Sequence, residues 1–175
     1  MTLGGAPPRP LSDAALEASV CVKCRLAQGR TQVVYGVGNE NADLLFSGEG
    51  PGYHEDKQGE PFVGAAGPLL NRMLAEIGTR REDVYIANVV KCRPPGNRDP
   101  LPDEIEACSP WLAEQVQLID PVIVMTLGNF ATRVILDRQV SISRVRGQRF
   151  EMGGRTVVPT FHPAAILHGG GEAGP

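Results

Sequence analysis

The sequence has no run of 18 apolar residues, no apolar core near its N-terminus and no excess of positive charge. The first two absences argue against a membrane-spanning helix and against a secretory signal. The formal net charge of −3 argues against a protein that binds nucleic acid by overall charge. Lysine is scarce beside fourteen arginines, so a DNA partner would need a local arginine patch. We expect a cytoplasmic protein that makes no membrane contact.

The length of 175 residues and the mass of 18.7 kDa suit one domain. A hydrophobic fraction of 42% with 21% charged residues is typical of a globular protein. Twenty-one glycines and fifteen prolines predict many turns and long connections. We expect a flexible leader over residues 1–10, one domain over 11–167 and a Gly-rich tail over 168–175, in a monomeric protein.

Short apolar runs alternate with amphipathic stretches along the chain, a pattern typical of strands alternating with helices. Residues 33–38 fit either a strand or an extended loop. The pattern predicts an α/β fold, a three-layer α/β/α sandwich around a mainly parallel four-stranded sheet. Strands are predicted over residues 42–47, 84–90, 122–127 and 156–161, and helices over residues 12–18, 67–77, 102–119 and 128–136.

Polar residues follow three of the predicted strands. Glu49 lies in the glycine-rich turn after the first strand, Asn88 ends the second and His162 follows the fourth. Ligands of parallel sheets bind beyond the carboxyl ends of the strands, so these side chains should converge on one active site. The glycine pattern is not that of a dinucleotide site, because Pro51 interrupts it.

The four cysteines comprise a C-x2-C pair, Cys21 and Cys24, together with Cys92 and Cys108. Nothing in the sequence indicates export, so two disulfides are not expected. Four thiols in a reducing compartment suggest a metal site, either structural zinc or an iron–sulfur cluster. The alternative is four unrelated buried thiols.

Four segments, taken together and in this order, resemble the family 4 uracil-DNA glycosylases, iron–sulfur enzymes of bacteria and archaea. The resemblance runs from about Cys21 to Leu167. It implies a uracil-DNA glycosylase-like fold and hydrolysis of the bond between uracil N1 and deoxyribose C1′ after the base leaves the stack. The products would be free uracil and an abasic site. The segments are Gly48–Gly52 with Glu55–Asp56, Pro61–Gly64, Asn88–Pro95 and Phe161–Ala164.

The resemblance also implies roles for single residues. His162 would donate to O2 of the departing uracil anion, and Asn88 would read the N3 and O4 edge. Phe62 would stack on the ring while the backbone at Gly50 closes over it. Glu49 is the first candidate for orienting the water and stabilising the cationic sugar. Glu55 is the second carboxylate candidate, which would act either through His162 or at the mouth of the pocket.

All four cysteines fall where that family holds a [4Fe–4S] cluster. The cluster would be structural, pinning the N-terminal segment and the loop over residues 93–99 against the core. Ile166 or Leu167 would wedge into the emptied base stack. Arginines are the expected phosphate contacts: Arg93, Arg98, Arg144, Arg146 and Arg149.

The chain departs from the family pattern after the histidine motif. A closing helix is usual there, whereas this chain has a Gly-rich tail, so either the chain is cut short or this member lacks the helix. The basic insertion of the DNA-crosslinking relatives is absent between Arg98 and Cys108, so no covalent product is expected. The alternatives are a sibling glycosylase that accepts other deaminated bases, and a non-catalytic zinc module that binds nucleic acid.

Overall fold

The computed structural model describes residues 1–3, 5 and 7–168, and within these residues the chain forms one mixed sheet with helices on both faces. The strands are β1 Val37–Gly38, β2 Leu44–Ser47, β3 Tyr85–Ile86, β4 Ile123–Leu127, β5 Phe150–Met152 and β6 Arg155–Thr160. The helices are α1 Leu11–Ser19, α2 Tyr53–Gln58, α3 Ala66–Glu76, α4 Pro102–Ile119, α5 Gly128–Leu136, α6 Ile142–Val145 and α7 Pro163–His168.

The sheet has six strands in the order β1-β3-β2-β4-β6-β5. Its four central strands are parallel and are those expected from the sequence, which confirms the α/β class. The expectation of a four-stranded sheet was wrong, because β1 and β5 add an antiparallel strand at each edge. Both edge strands are only two or three residues long. Strand β1 lies within residues 33–38, where the sequence fits either a strand or an extended loop, whereas β5 is too short for its hydrophobic pattern to predict it.

Successive side chains of the central strands point to opposite faces of the sheet and so divide the core into two parts. Leu45 belongs to the part that includes Leu112 of α4 and Ile135 of α5, whereas the adjacent Phe46 packs with Leu70 of α3 on the opposite face. This period-2 pattern arises because successive strand side chains point to opposite faces. The three expected layers are therefore present.

Strand β3 is shorter than the sequence predicts, but its pairing continues as irregular backbone. The N–H groups of Ala87, Val89 and Val90 donate to the carbonyls of Phe46, Gly48 and Glu49. The chain over residues 87–90 thus runs beside the turn that follows β2. This extension fixes the position of Asn88 relative to the glycine-rich turn.

The structure describes most of the expected N-terminal leader but only residue 168 of the expected tail. The Met1 ammonium donates to the carbonyl of Ile135 over 3.1 Å, and Arg9 pairs with Glu114 over 2.6 Å, so the expected leader contacts the domain at both of its ends. The expected tail lies outside the described residues from position 169 onward. No helix in the described ranges has the length and apolarity needed to cross a membrane.

Candidate active site and four-cysteine site

The carboxyl ends of the parallel strands open onto two adjoining cavities. The first, of about 350 Å³, is lined by Glu55, Phe62 and Asn88 among others. The second, of about 690 Å³, adds Glu49 and Asp99. Four residues line both cavities and join them into one site: Gly50, Gly52, Asn97 and His162. The structure thus brings together all six residues that the sequence assigned to catalysis or uracil binding.

Asn88 is 3% exposed, and its Oδ1 has no hydrogen-bond partner among the described residues. A buried amide oxygen without a partner is costly, and such an atom at a cavity wall indicates a ligand that supplies the donor. A β-carbon added at Gly48 would lie 2.8 Å from this oxygen. Because Gly48 has no side chain, the Asn88 amide has room in this position.

Phe62 has a left-handed backbone conformation, with φ of 54°, which is uncommon for an aromatic residue. Its carbonyl accepts a hydrogen bond of 2.9 Å from the Arg81 guanidinium, which also binds the Pro61 carbonyl. The Phe62 ring stacks on the His162 ring, with centroids 5.4 Å apart and an interplanar angle of 28°. Strained backbone held by surrounding contacts is typical of functional sites.

His162 is oriented by the start of α7. Its Nδ1 accepts the N–H of Ala164 over 3.0 Å, so the proton of the neutral ring resides on Nε2. Burial lowers the pKa of His162, an effect that the negative charge of Glu55 opposes in part. The neutral ring therefore offers one N–H donor at Nε2.

Glu49 is half-buried, and its carboxyl group is paired with that of Asp99. Burial, the charge of Asp99 and a hydrogen bond between the two side chains together raise the pKa of Glu49 to about 7. Two carboxyl groups in contact resist simultaneous ionisation. Glu49 is thus poised to gain or lose a proton near neutral pH.

Glu55 has a different environment. One of its carboxylate oxygens accepts the N–H of Gly52 over 3.0 Å, and the other accepts the N–H groups of Val63 over 3.1 Å and Gly64 over 2.7 Å. These bonds tie the start of α2 to the loop that carries Phe62. Glu55 therefore shapes the cavity wall, and its oxygens are occupied by backbone donors.

The two arginines of the loop over residues 93–99 have different partners. Arg98 forms two hydrogen bonds, of 2.7 and 2.9 Å, with Glu104, whose side chain is fully buried. Arg93 instead lies over the ring of Tyr53, which is 52% exposed, at 5.4 Å from the ring centroid. Arg98 is thus committed to an internal ion pair, while Arg93 lies near the entrance to the site.

The remaining expected DNA contacts belong to the segment before β5 and to α7. Arg144 and Arg149 are exposed and lie on either side of Gly147, whose N–H donates to the Pro159 carbonyl of β6 over 2.9 Å. Arg146 lies 4.9 Å from the ring centroid of Phe161, the residue before His162. Ile166 and Leu167 belong to α7, which begins directly after His162.

The four cysteines converge on a separate cavity that all of them line. Cys92 and Cys108 are buried. The N–H of Lys91 donates to the Cys108 sulfur over 3.2 Å, and Arg30 donates to the Cys92 sulfur over 3.5 Å. Hydrogen bonds to sulfur are a usual feature of iron–sulfur sites.

The chemistry of the donor set bears on which metal group fits. Four thiols are the ligands of a structural zinc site and also of a [4Fe–4S] cluster. Across the described part of the chain, no three His, Cys, Asp or Glu side chains gather closely enough to hold a single metal ion.

The family is decided by comparison with known proteins. A family model described as "Uracil DNA glycosylase superfamily" matches residues 35–174. The chain belongs to this family.

Among curated relatives, the chain is similar to the type-4 uracil-DNA glycosylase of Archaeoglobus fulgidus, at 49% identity over 90% of this chain and 83% of the relative. The type-4 uracil-DNA glycosylase of Thermotoga maritima is 51% identical over 84% of this chain and 78% of the relative. A type-5 uracil-DNA glycosylase of Thermus thermophilus is 30% identical over 74% of this chain and 68% of the relative. The family 4 resemblance stated from the sequence is thereby confirmed.

Three residues at the site were missed by the sequence reasoning: Asp99, Arg81 and Lys91. Asp99 lies in a loop that was expected at the mouth of the site, so its position was available as a signal. Arg81 acts across 19 residues on the Phe62 carbonyl, and nothing in the local sequence indicates that contact.

Proposed function

We propose that this protein removes uracil from DNA by hydrolysing its N-glycosidic bond, leaving an abasic site. The observation that carries the proposal is the unpartnered Oδ1 of buried Asn88, in a cavity that Phe62 and His162 also line. The names of the type-4 relatives support the same activity.

The Asn88 amide accounts for the choice of base. Its oxygen accepts from N3–H of uracil, and its NH₂ group donates to O4. Cytosine presents the reverse pattern, an acceptor at N3 and a donor at position 4, so it would leave both amide groups mismatched. Phe62 provides the aromatic surface beside the bound base.

His162 stabilises the leaving group. Because its Nδ1 accepts from Ala164, the neutral ring directs Nε2–H to the cavity, where it donates to O2 of the departing uracil anion. A donor aimed at charge that develops in the transition state contributes about 3–4 kcal/mol.

Glu49 acts on the sugar side. With a pKa of about 7, it accepts a proton from the attacking water and, when ionised, stabilises the oxocarbenium-like sugar. Glu55, the second candidate, is assigned a positioning role instead, because its oxygens are held by three backbone N–H groups.

DNA is held by cations around the entrance. Arg93, Arg144, Arg146 and Arg149 are proposed to contact phosphates, and Ile166 or Leu167 to fill the gap left by the base. Arg98 is proposed to order the loop over residues 93–99 through Glu104 rather than to contact DNA.

A [4Fe–4S] cluster is proposed to be held by Cys21, Cys24, Cys92 and Cys108. When bound, it supplies a structural cross-link between the N-terminal segment, the start of the loop over residues 93–99 and α4. Cys92 lies four residues after Asn88, so this cross-link supports the segment that carries Asn88. The protein is proposed to work as a cytoplasmic monomer.

The test is an excision assay on an oligonucleotide with one deoxyuridine, followed by alkaline cleavage of abasic sites. The same strand with thymine, cytosine or hypoxanthine at that position ranks the bases. We expect rapid cleavage at uracil and cleavage by His162→Ala that is slower by at least about a hundredfold. Absence of cleavage at uracil, in protein that is colourless and holds stoichiometric zinc, would favour the zinc module instead.

A further inference from the structure

Lys91 is an almost fully buried ionisable side chain that has no place in the chemistry above. It is 1% exposed and belongs to the segment between Asn88 and Cys92. A buried lysine is costly unless each of its donors is used, so its contacts indicate what it is for.

The Lys91 side chain turns back toward the uracil site. Its Nζ donates to the backbone carbonyl of Asn88 over 2.8 Å and to Oε1 of Gln115 over 2.6 Å. Gln115, also fully buried, donates in turn to the Tyr35 carbonyl over 2.9 Å. The Asn88 peptide is thereby bound to α4 through two side chains.

The Lys91 backbone faces the other site. Its N–H donates to the sulfur of Cys108, and it lines the cavity shared by the four cysteines. One residue thus contacts a cysteine with its main chain and the base-reading residue with its side chain. Cys108 and Gln115 lie seven residues apart on α4, so one helix supports both ends of the connection.

We propose that Lys91 is a positioning residue, which holds the Asn88 amide facing the N3 and O4 edge of uracil. Lys91 thereby makes base recognition depend on an intact four-cysteine site. This inference rests on the proposed uracil excision. It assigns to Lys91 no contact with DNA or with the reacting atoms.

The test is Lys91→Met, which keeps an unbranched apolar side chain one atom shorter than lysine but removes its donors. We expect the inhibition constant of free uracil to rise about tenfold and the single-turnover excision rate to fall about as much, while the Kd for uracil-free DNA stays the same. Iron content and visible absorption are measured on the same samples. Tyr35→Phe is the matched control, because the buried Tyr35 hydroxyl has no hydrogen-bond partner among the described residues.

A double-mutant cycle separates positioning from general destabilisation. If Lys91 acts through Asn88, then Lys91→Met has little further effect on uracil inhibition in an Asn88→Ala background. Equal effects in both backgrounds would overturn the inference, as would unchanged uracil inhibition in Lys91→Met alone. If that variant does not fold, Gln115→Met removes one acceptor of Nζ, and a two- to fivefold weaker uracil inhibition is the expected result. Unchanged inhibition there contradicts the inference, whereas a wild-type protein without uracil excision contradicts the proposed function.

Discussion

Glu49 and Glu55 lie six residues apart on the same stretch of chain, yet their surroundings are opposite. The carboxylate of Glu55 accepts three backbone N–H groups, while that of Glu49 meets another carboxyl group and has its pKa raised to about 7. The comparison teaches that Glu55 holds the loop that carries Phe62, whereas Glu49 is the carboxylate that we propose for catalysis. Residue type alone does not distinguish the two roles.

Replacing Glu49 gives the largest expected effect. Glu49→Gln removes the ionisable group but keeps the size, so we expect the single-turnover rate at pH 8 to fall at least about a hundredfold. Its ionised form is disfavoured in the folded protein, because the folded pKa lies above the ordinary value of 4.5. The Tm at pH 8 should therefore stay the same or rise. A rate within threefold of wild type would remove Glu49 from the mechanism.

Glu55→Gln should show the converse pattern. The amide cannot accept three backbone N–H groups as well as a carboxylate does, and its NH₂ group meets a backbone donor. We expect a loss of about 2 kcal/mol in the free energy of unfolding, measured by urea denaturation. The excision rate should fall only about tenfold, through movement of the Phe62 loop. A hundredfold loss of rate with normal stability would instead favour direct catalysis by Glu55.

Asp99→Asn tests how far the neighbouring carboxylate, beside the larger effect of burial, raises the pKa of Glu49. Removing the neighbouring charge lowers that pKa, so the ionised form persists to lower pH. The wild-type kcat/KM should decline below about pH 7, and in Asp99→Asn the decline should begin at lower pH, giving a several-fold faster enzyme at pH 6. Protonation of His162 cannot explain a decline near pH 7, because burial lowers the pKa of that residue.

Asp103→Asn is the matched control for the pH profile. Asp103 is an exposed carboxylate in the first turn of α4 and pairs with Arg25. Its replacement should leave the profile unchanged. An equal shift of the pH profile in both variants would show that the decline of kcat/KM at low pH depends on overall charge and not on the pairing of Asp99 with Glu49.

The smallest expected effects extend the comparison to Arg93 and Arg98. Arg93→Gln should reduce the slope of log K for DNA against log salt by about 1, the value for one lost phosphate contact. Arg98→Gln should leave that slope unchanged but lower the Tm by about 5 °C, because the buried carboxylate of Glu104 loses its partner. The reverse assignment of the two effects would contradict the structural distinction between these residues.

The sequence predicted the elements that carry long apolar patterns. Helix α5 begins and ends where expected, at Gly128 and Leu136, and the four parallel strands were all located. Because the carboxyl ends of parallel strands share one edge, the meeting of Glu49, Asn88 and His162 could also be predicted. Of the edge strands, β1 lies within residues 33–38, for which a strand was one of two predictions, whereas β5 was missed because it depends on pairing with β6 rather than on its own residues.

The roles of individual polar side chains were less predictable. The pairing of Arg98 with Glu104 could not be predicted, because Glu104 becomes a buried acceptor only once α4 packs. The pairing of Glu49 with Asp99 and the link from Lys91 to Gln115 likewise join residues 50 and 24 positions apart. Such contacts depend on tertiary packing, which local periodicity does not encode.

The central claim is that Asn88, Phe62 and His162 surround one uracil base. A crystal structure of the protein with free uracil tests it most directly. The account predicts N3 of uracil within about 3 Å of Asn88 Oδ1, O2 at a similar distance from His162 Nε2, and the ring against Phe62. Uracil bound elsewhere, or bound in this cavity with the Asn88 amide facing away from its N3 and O4 edge, would contradict the account.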